Sequence, residues 1–499
     1  MASVAPAPLS RPAVARPRAV RVALPALLGL LGAVIAGVHV DSPTIWRDEA
    51  ASITMAQRDW PAFFGTIAHV DAVHALYYAG LHLWFAVVPY SPFTLRLPSV
   101  LAAGATAAVL TVLASRLAGL RAGIAAGAAA AVLPSLVWAG GEGRSYALTA
   151  LLASATTLAL VVALDERRSR RRSAVVWAGY AALLALTTAL FVDAVLLGIA
   201  HLVTLLVVGH RKRLGGIAAI AVATVAVSPL LVLAARQSGQ VAWIAIYGSP
   251  PLWTDGIEQQ WFRSVPVMTG WAAVLAIGAL VAVLRRRLPL TALAIAVPWA
   301  ILPPVALVAI SLVHTPVYWP RYVTFTAPAV ALLIGVVVAA MPAPLTGVAL
   351  LVLAALAAPQ VQADRLPRAK AESEMALAAR LVAGSRSAAD GAAGIVFGQY
   401  DHIEGLTTRL EAVAYPDAFA GLTDLTARVP LRRSTELFGA DLPTTAAVPR
   451  AARLNTVWIL LDLDAVPKTF VPAAALRAAG FHESGRFRTT GSLLLRWSR

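Results

Sequence analysis

The sequence predicts a polytopic α-helical membrane protein of about eleven transmembrane helices carrying a C-terminal extracytoplasmic α/β domain. Three observations lead there. Of 499 residues, 59% are hydrophobic and only 13% charged, with a mean hydropathy of +0.74, well outside the balance of water-soluble domains. Apolar runs long enough to cross a hydrocarbon core of ~30 Å recur along the chain. After Pro359 the composition turns polar, and only short apolar runs remain.

The first twenty residues, rich in Pro, Ala and Arg, read as a disordered cytoplasmic lead. The apolar run behind them is long for a signal peptide and lacks a small-x-small exit before Asp41, so it is expected to stay as the first helix. Further spans are expected near 97–115, 122–139, 146–164, 174–192, 194–209, 215–235, 268–284, 288–311, 322–340 and 344–359. The stretch from Ala75 to Val88 is interrupted by His82 and closed by Pro89, which suits an interfacial or re-entrant helix better than a crossing. The organisation is then a lead over 1–20, a membrane domain over 21–359 with its first outer loop at 41–95, and a soluble domain over 360–499. In that last domain Gly394 to Gly398, Thr456 to Leu463 and Ser492 to Trp497 read as buried strands. Helical patterning at Ala371 to Val382 and Ala473 to Ala479 separates or flanks them. Neither a repeat of solenoid period nor paired interrupted helices is visible.

Charge sets the orientation, because cytoplasmic loops carry the Lys and Arg excess. A cytoplasmic N-terminus places seventeen basic residues inside, including Arg116, Arg121, Arg167, Arg168, Lys212 and Arg285, against only Asp165 and Glu166. The outer loops then hold Arg47, Arg58, Arg96, Arg144, Arg236, Arg263 and Arg321 against nine acids. The formal net charge of +16 is therefore a topology signal and not a nucleic-acid footprint. Nine of thirteen tryptophans, Trp253 among them, fall in or beside the same outer loops, as an interfacial belt requires. With no cysteine in the chain, disulfides, thiolate metal sites and cysteine nucleophiles are excluded.

The polar residues of the outer loops are the candidates for function. Trp46-Arg47-Asp48-Glu49 follows the first span. Neighbouring carboxylates on a helix point about 100° apart, so one can act while the other holds the loop. A partly desolvated carboxylate gains basicity and can take a proton from a hydroxyl nucleophile; the alternative is a clamp to Arg47 or Arg58. Close behind come His69, Asp71, His74, Tyr77 and Tyr78, which equally fit an interfacial helix with tyrosines at headgroup level. Their spacing matches no zinc signature, and Asp71 with water leaves Mg²⁺ or Mn²⁺ as an alternative. In the loop before Tyr146, Glu142 and Arg144 stand two residues apart, either to hold a phosphate through the guanidinium or to pair structurally. Arg321 and Tyr322 repeat the combination of guanidinium and aromatic ring, where snorkelling is the plain alternative. Acids in the first loop with single arginines in two later loops suit a lipid-phosphate donor and an activated acceptor.

On these residues the sequence resembles the GT-C superfamily of membrane glycosyltransferases that use polyprenyl-phosphate sugars. It looks most like the actinobacterial mannosyltransferase-like branch related to protein O-mannosyltransferases and aminoarabinose transferases. Trp46-Arg47-Asp48-Glu49-Ala50 is similar to the acidic first-loop motif, and His74-Ala75-Leu76-Tyr77-Tyr78 to the His-Pro-Pro-Leu-Tyr-Tyr element, with Ala75 in place of its first proline. Arg96-Leu97-Pro98-Ser99 resembles the start of the second span, Glu142 to Leu148 resembles the Glu-Ala-Arg-x-Tyr-Ala-Leu element, and Pro320-Arg321-Tyr322 is a weaker match. The resemblance implies that Asp48 is the catalytic base with Glu49 beside it. It further implies Asp71, His74 and Tyr77 as a supporting acid and acceptor loop, and Glu142, Arg144, Tyr146, Arg321 and Tyr322 as donor or phosphate contacts. The implied reaction moves a sugar from a polyprenyl-phosphate carrier to a hydroxyl of a lipid-linked glycan, polysaccharide or protein, with inversion. The lipid tail would lie between spans, and the soluble domain would gate or bind the acceptor.

Two other classes of function stay open. A lipid-linked sugar flippase or ion-coupled carrier would ordinarily place ionisable groups near mid-membrane, where His201 is the main candidate and Asp193 sits only at a predicted outer end. A non-catalytic envelope assembly protein would use the soluble domain to bind a partner.

Overall fold

The computed structural model describes residues 18–164, 170–208, 212–247, 256–370, 374–387, 390–400, 406–443, 446–464 and 473–499. The expected lead up to residue 17, the basic stretches 165–169 and 209–211, Trp253 and the first residues of the helix expected from Ala371 lie outside them. Two compact units form: Met1–Val40 with Asp71–Tyr77 and Arg96–Asp364, and Asp41–Val70 with Tyr78–Leu95 and Arg365–Arg499.

The first unit is helical. The whole chain has, among the described residues, nine helices long and apolar enough to cross a membrane, from Val20–Gly37 to Ala343–Ala363. Two of the eleven expected segments differ. The one near 122–139 is broken into Leu120–Val132 and Pro134–Gly140, which meet at 58° and make a tenth crossing if counted as one span. Pro134 supplies no N–H and pushes the residue before it out of helical geometry, and Leu133 indeed sits at φ −64°, ψ 118°. The segment near 194–209 becomes the shorter apolar helix Val192–Val208.

Small residues let these helices approach closely, as expected where lipid removes the hydrophobic drive between them. Helix Ala327–Val338 lies against Leu120–Val132 so tightly that a Cβ on Gly335 would fall 2.3 Å from the Cα of Ala126. A Cβ on Gly104 would fall 2.5 Å from the carbonyl oxygen of Gly29. Several polar groups inside this unit find partners across helices. The ring of His201 lies 3.1 Å from Thr157 Oγ1 through Nε2 and 3.0 Å from Tyr180 OH through Nδ1. Trp299 Nε1 donates to the carbonyl of Phe325 at 2.9 Å.

The second unit is built on one sheet. Strands β1 (Ala393–Phe397), β2 (Thr423–Asp424), β3 (Thr456–Asp462), β4 (His482–Arg488) and β5 (Ser492–Ser498) run in the order β2-β1-β3-β5-β4. The pairs β1/β2 and β1/β3 are parallel, with Ile395 opposite Trp458, while β3/β5 and β4/β5 are antiparallel, with Leu460 opposite Leu494. Alternation sends Ile395, Phe397, Trp458, Leu460 and Leu494 to one core with helix Met375–Ser385. Val396, Ile459, Leu461, Leu495 and Trp497 pack on the other face with Leu476 and Phe481.

The first-loop helices Arg47–Ala56 and Trp60–Ile67 fold into this second unit. Ile45 N donates to Tyr415 OH at 3.0 Å and Thr44 N to the carbonyl of Pro367 at 3.1 Å. Arg58, 1% exposed, bonds Thr66 Oγ1 and the carbonyls of Glu436 and Leu437. Burial lowers this guanidinium to about 10 against the opposing charge of Glu436.

Candidate active site

The sequence-predicted residues fall into two groups, one in each unit. In the second unit, Trp46 takes an extended backbone and starts helix Arg47–Ala56, so Asp48 and Glu49 both sit in its first turn, where the helix dipole favours negative charge. Their roughly 100° separation gives them different surroundings. Glu49 is fully buried and pairs with Lys370 Nζ at 2.8 Å, and the same ammonium stands 5.9 Å from the Trp46 ring centre. Asp48 is only half-buried, and its carbonyl accepts from Ser52 Oγ at 3.2 Å. Of the two arginines considered as clamps for these acids, Arg58 instead holds carbonyl oxygens. Helix Arg47–Ala56 packs on helix Arg409–Ala414. There, Tyr400 OH donates to Glu411 Oε1 at 2.6 Å, and burial pushes Glu411 up to about 8.

In the first unit, Asp71 adopts a left-handed backbone, φ 62°, which any side chain but glycine enters at a cost. That turn is held by two glutamines: Asp71 N donates to Gln240 Oε1 at 3.1 Å and Ala72 N to Gln237 Oε1 at 2.9 Å. It delivers His74, buried, onto the ring of Phe191 at 5.7 Å and 26°. Tyr77 is buried as well. Burial, then the charges of Arg144 and Arg321, hold His74 well below the ordinary imidazole range. The charges of two guanidinium groups are thus felt at one buried imidazole.

The turn that presents Glu142 and Arg144 closes helix Pro134–Gly140: Gly141 N donates to the carbonyl of Trp138 at 2.8 Å, and Ser99 Oγ to that of Arg144 at 3.3 Å. Both charged side chains are buried, 1% and 5% exposed, where an unmatched charge is costly. Tyr146 opens the next helix and stacks on Trp138 at 5.6 Å, with its ring edge to Phe191. Tyr322 lies 5.8 Å from the same Phe191. Arg321 lies over Trp243 at 5.4 Å and over Tyr322 at 5.6 Å.

The structure therefore gathers His74, Tyr146 and Tyr322 around Phe191, with Arg144 and Arg321 acting on His74. Sequence reasoning missed Phe191 and Lys370. Phe191 is an ordinary apolar residue at a helix end, and Lys370 is one cation in a polar stretch; neither carries a local signal. Among the described residues no group of three or more His, Asp or Glu side chains could hold a metal ion, and Asp71 is not part of one.

No protein-family model and no curated protein matches the sequence. Solved structures do. ArnT from Cupriavidus metallidurans in the apo state is similar over 94% of this chain and 97% of its own, with a TM-score of 0.58 at 12% identity. The same protein bound to undecaprenyl phosphate gives 0.56 at 12% identity over 96% and 98%. The apo oligosaccharyltransferase of Archaeoglobus fulgidus gives 0.52 at 10% identity over 90% of this chain and 70% of its own. At these identities the likeness is one of fold. The chain is a multi-pass membrane protein whose fold is similar to that of ArnT and of the archaeal oligosaccharyltransferase.

Proposed function

We propose that this protein is an integral membrane glycosyltransferase that moves a mannosyl or other hexosyl or pentosyl unit from a polyprenyl-phosphate carrier to an acceptor hydroxyl on the extracytoplasmic side. The cytoplasmic N-terminus and extracytoplasmic domain follow from the distribution of Lys and Arg. Acceptors are lipid-linked glycan, wall polysaccharide or protein, and the setting is cell-envelope synthesis.

The observation that carries the reading is the gathering of His74, Tyr146 and Tyr322 around the Phe191 ring, where burial and then the charges of Arg144 and Arg321 hold the imidazole well below its ordinary range. A phosphate monoester leaving group gains a second negative charge as its bond to the sugar breaks. Two guanidinium groups match that charge through bidentate hydrogen bonds, and an imidazole kept neutral can accept or donate without adding repulsion or a third cation. Support for the carrier comes from the ArnT structure bound to undecaprenyl phosphate.

Asp48 is assigned as the base, because Glu49 is committed to Lys370 while Asp48 remains half-buried. Its carboxylate takes the acceptor proton as the hydroxyl oxygen attacks the anomeric carbon; the bond from that carbon to the phosphate oxygen breaks, and the electron pair leaves with polyprenyl phosphate. Attack opposite to departure inverts the anomeric centre. Asp71 and Tyr77 are assigned to the acceptor side, and Glu142, Tyr146 and Tyr322 to orienting the donor and its arginines.

The test is transfer from radiolabelled polyprenyl-phosphate mannose and polyprenyl-phosphate arabinofuranose in membranes carrying the native chain or Asp48→Asn. Label should reach acceptor with the native chain and fall by at least ~10²-fold with the variant. Equal transfer by both would remove Asp48, and no transfer with either donor by the native chain would remove the reading.

A further inference from the structure

Within the second unit, helix Trp60–Ile67 turns Phe63, Thr66 and Ile67 inward and leaves Trp60 and Phe64, one turn apart, 38% and 63% exposed. Their rings stack at 5.7 Å, and Trp60 meets the ring of His82 at 4.1 Å. His82 belongs to helix Ala75–Phe85, which also leaves Leu83 63% exposed and, just past its end, Val87 77% exposed. Large apolar side chains in such numbers on one short loop are costly in water.

Chain continuity says what covers them. Val87 is followed within five residues by Pro92, the first residue of the candidate span Pro92–Ala118, and Phe93 in its first turn is 44% exposed. A segment that leads directly into a crossing helix sits at the bilayer surface, where aromatic rings, histidine and short apolar helices are stable.

A basic loop is fastened beside this surface. Arg428, Arg432 and Arg433 are exposed, with Val429 and Pro430 between them also exposed. Asp59 N, immediately before Trp60, donates to the carbonyl of Arg432 at 2.9 Å, and Arg433 stands 3.8 Å from the Asp59 carboxylate. The buried Arg58 grips the carbonyls of Glu436 and Leu437, which close the same loop, and its charge opposes that of Glu436. Residues 428–436 hold three arginines against that one acid.

The geometry points to a bilayer-docking surface in which Trp60, Phe64, Leu83 and Val87 enter the interface while Arg428, Arg432 and Arg433 bind anionic phospholipid headgroups. Guanidinium groups near a charged leaflet each add attraction that falls off within a Debye length. Rigid attachment to the aromatic helix holds them at headgroup depth. This surface is separate from the residues assigned to sugar transfer, and its existence does not depend on that reaction.

Because the chain lacks cysteine, Phe64→Cys, Leu83→Cys and Thr423→Cys can each be nitroxide-labelled in the full chain in nanodiscs of phosphatidylglycerol and phosphatidylcholine. Labels at 64 and 83 should be reached by oxygen in preference to a nickel chelate, and the label at 423 by the chelate. If 64 and 83 behave like 423, the docking surface is lost. Native mass spectrometry of Arg428→Gln/Arg432→Gln/Arg433→Gln should show phosphatidylglycerol retention reduced by an order of magnitude or more, phosphatidylcholine retention unchanged, and recovery with lysine at the three positions. Undiminished phosphatidylglycerol retention would overturn the lipid assignment and leave the arginines to an acidic protein partner.

Discussion

The ammonium of Lys370 lies 2.8 Å from the carboxylate of Glu49, a side chain with no solvent exposure. A pair in that setting is held for geometry more than for net stability, since removing both charges from water is costly, yet breaking it leaves a buried charge uncompensated. It fixes the first turn of the helix that also carries Asp48.

Glu49→Gln is therefore expected to destabilise the second unit by about 3–5 kcal/mol, read as an earlier loss of monodisperse protein on heating in detergent. Adding Lys370→Met should restore much of it. Asp48→Asn, half-buried and outside the pair, should remove transfer at a far smaller cost to the melting profile than Glu49→Gln.

Arg144→Gln and Arg321→Gln should each raise the KM for the polyprenyl-phosphate donor, by about tenfold or more if one charge-assisted bond of ~1.5–3 kcal/mol is lost. The same changes withdraw a positive charge from His74, so its pKa should rise in each variant while burial keeps it below the ordinary value. Selective ¹³C labelling of histidine and an NMR titration would read this. A His74 resonance indifferent to both substitutions would contradict the assigned grouping.

Two buried groups make opposite pH signatures. His74 is depressed in the fold, so the unfolded chain binds the extra proton below pH ~6.5 and stability falls as pH drops from there, by up to ~1.4 kcal/mol per pH unit. Glu411 is raised from 4.5 to about 8; its contribution is fully present below 4.5 and is lost as pH rises towards 8. Glu411→Gln should flatten the loss of stability between pH 4.5 and about 8 in a denaturation series, and His74→Phe the loss below pH ~6.5.

Tyr180→Phe removes one of the two partners of the His201 ring. Interhelical hydrogen bonds of this kind average ~0.6 kcal/mol, so a small drop in melting temperature with unaltered transfer is expected. Gly335→Leu should be far more severe, because its side chain would meet the backbone of Ala126; expression in the membrane fraction would report it.

How much of this was legible varies with how local the signal is. The spans were readable because each carries its own apolar run, but Pro134 marks a break that continuous hydropathy across 122–139 conceals. Strands β1, β3 and β5 appear as short apolar runs. The edge strand β4, His482–Arg488, is mostly exposed and polar, and β2 is two residues long, so neither stands out. At the site, the divergence of Asp48 and Glu49 follows from helix geometry alone. That Glu49 would meet Lys370, or that Phe191 would seat His74, depends on contacts between distant segments, which spacing does not encode.

The clamp of Arg58 on Glu436 and Leu437 also sets an order of assembly. Residues 41–70 are synthesised well before residues 365–499, which share their unit. The loop bearing Asp48 can therefore complete its packing only after the candidate spans up to Ala343–Ala363 have been made. A chain halted before residue 430 would retain its candidate membrane spans but lack the carbonyls that Arg58 holds, leaving the loop that bears Asp48 without that scaffold.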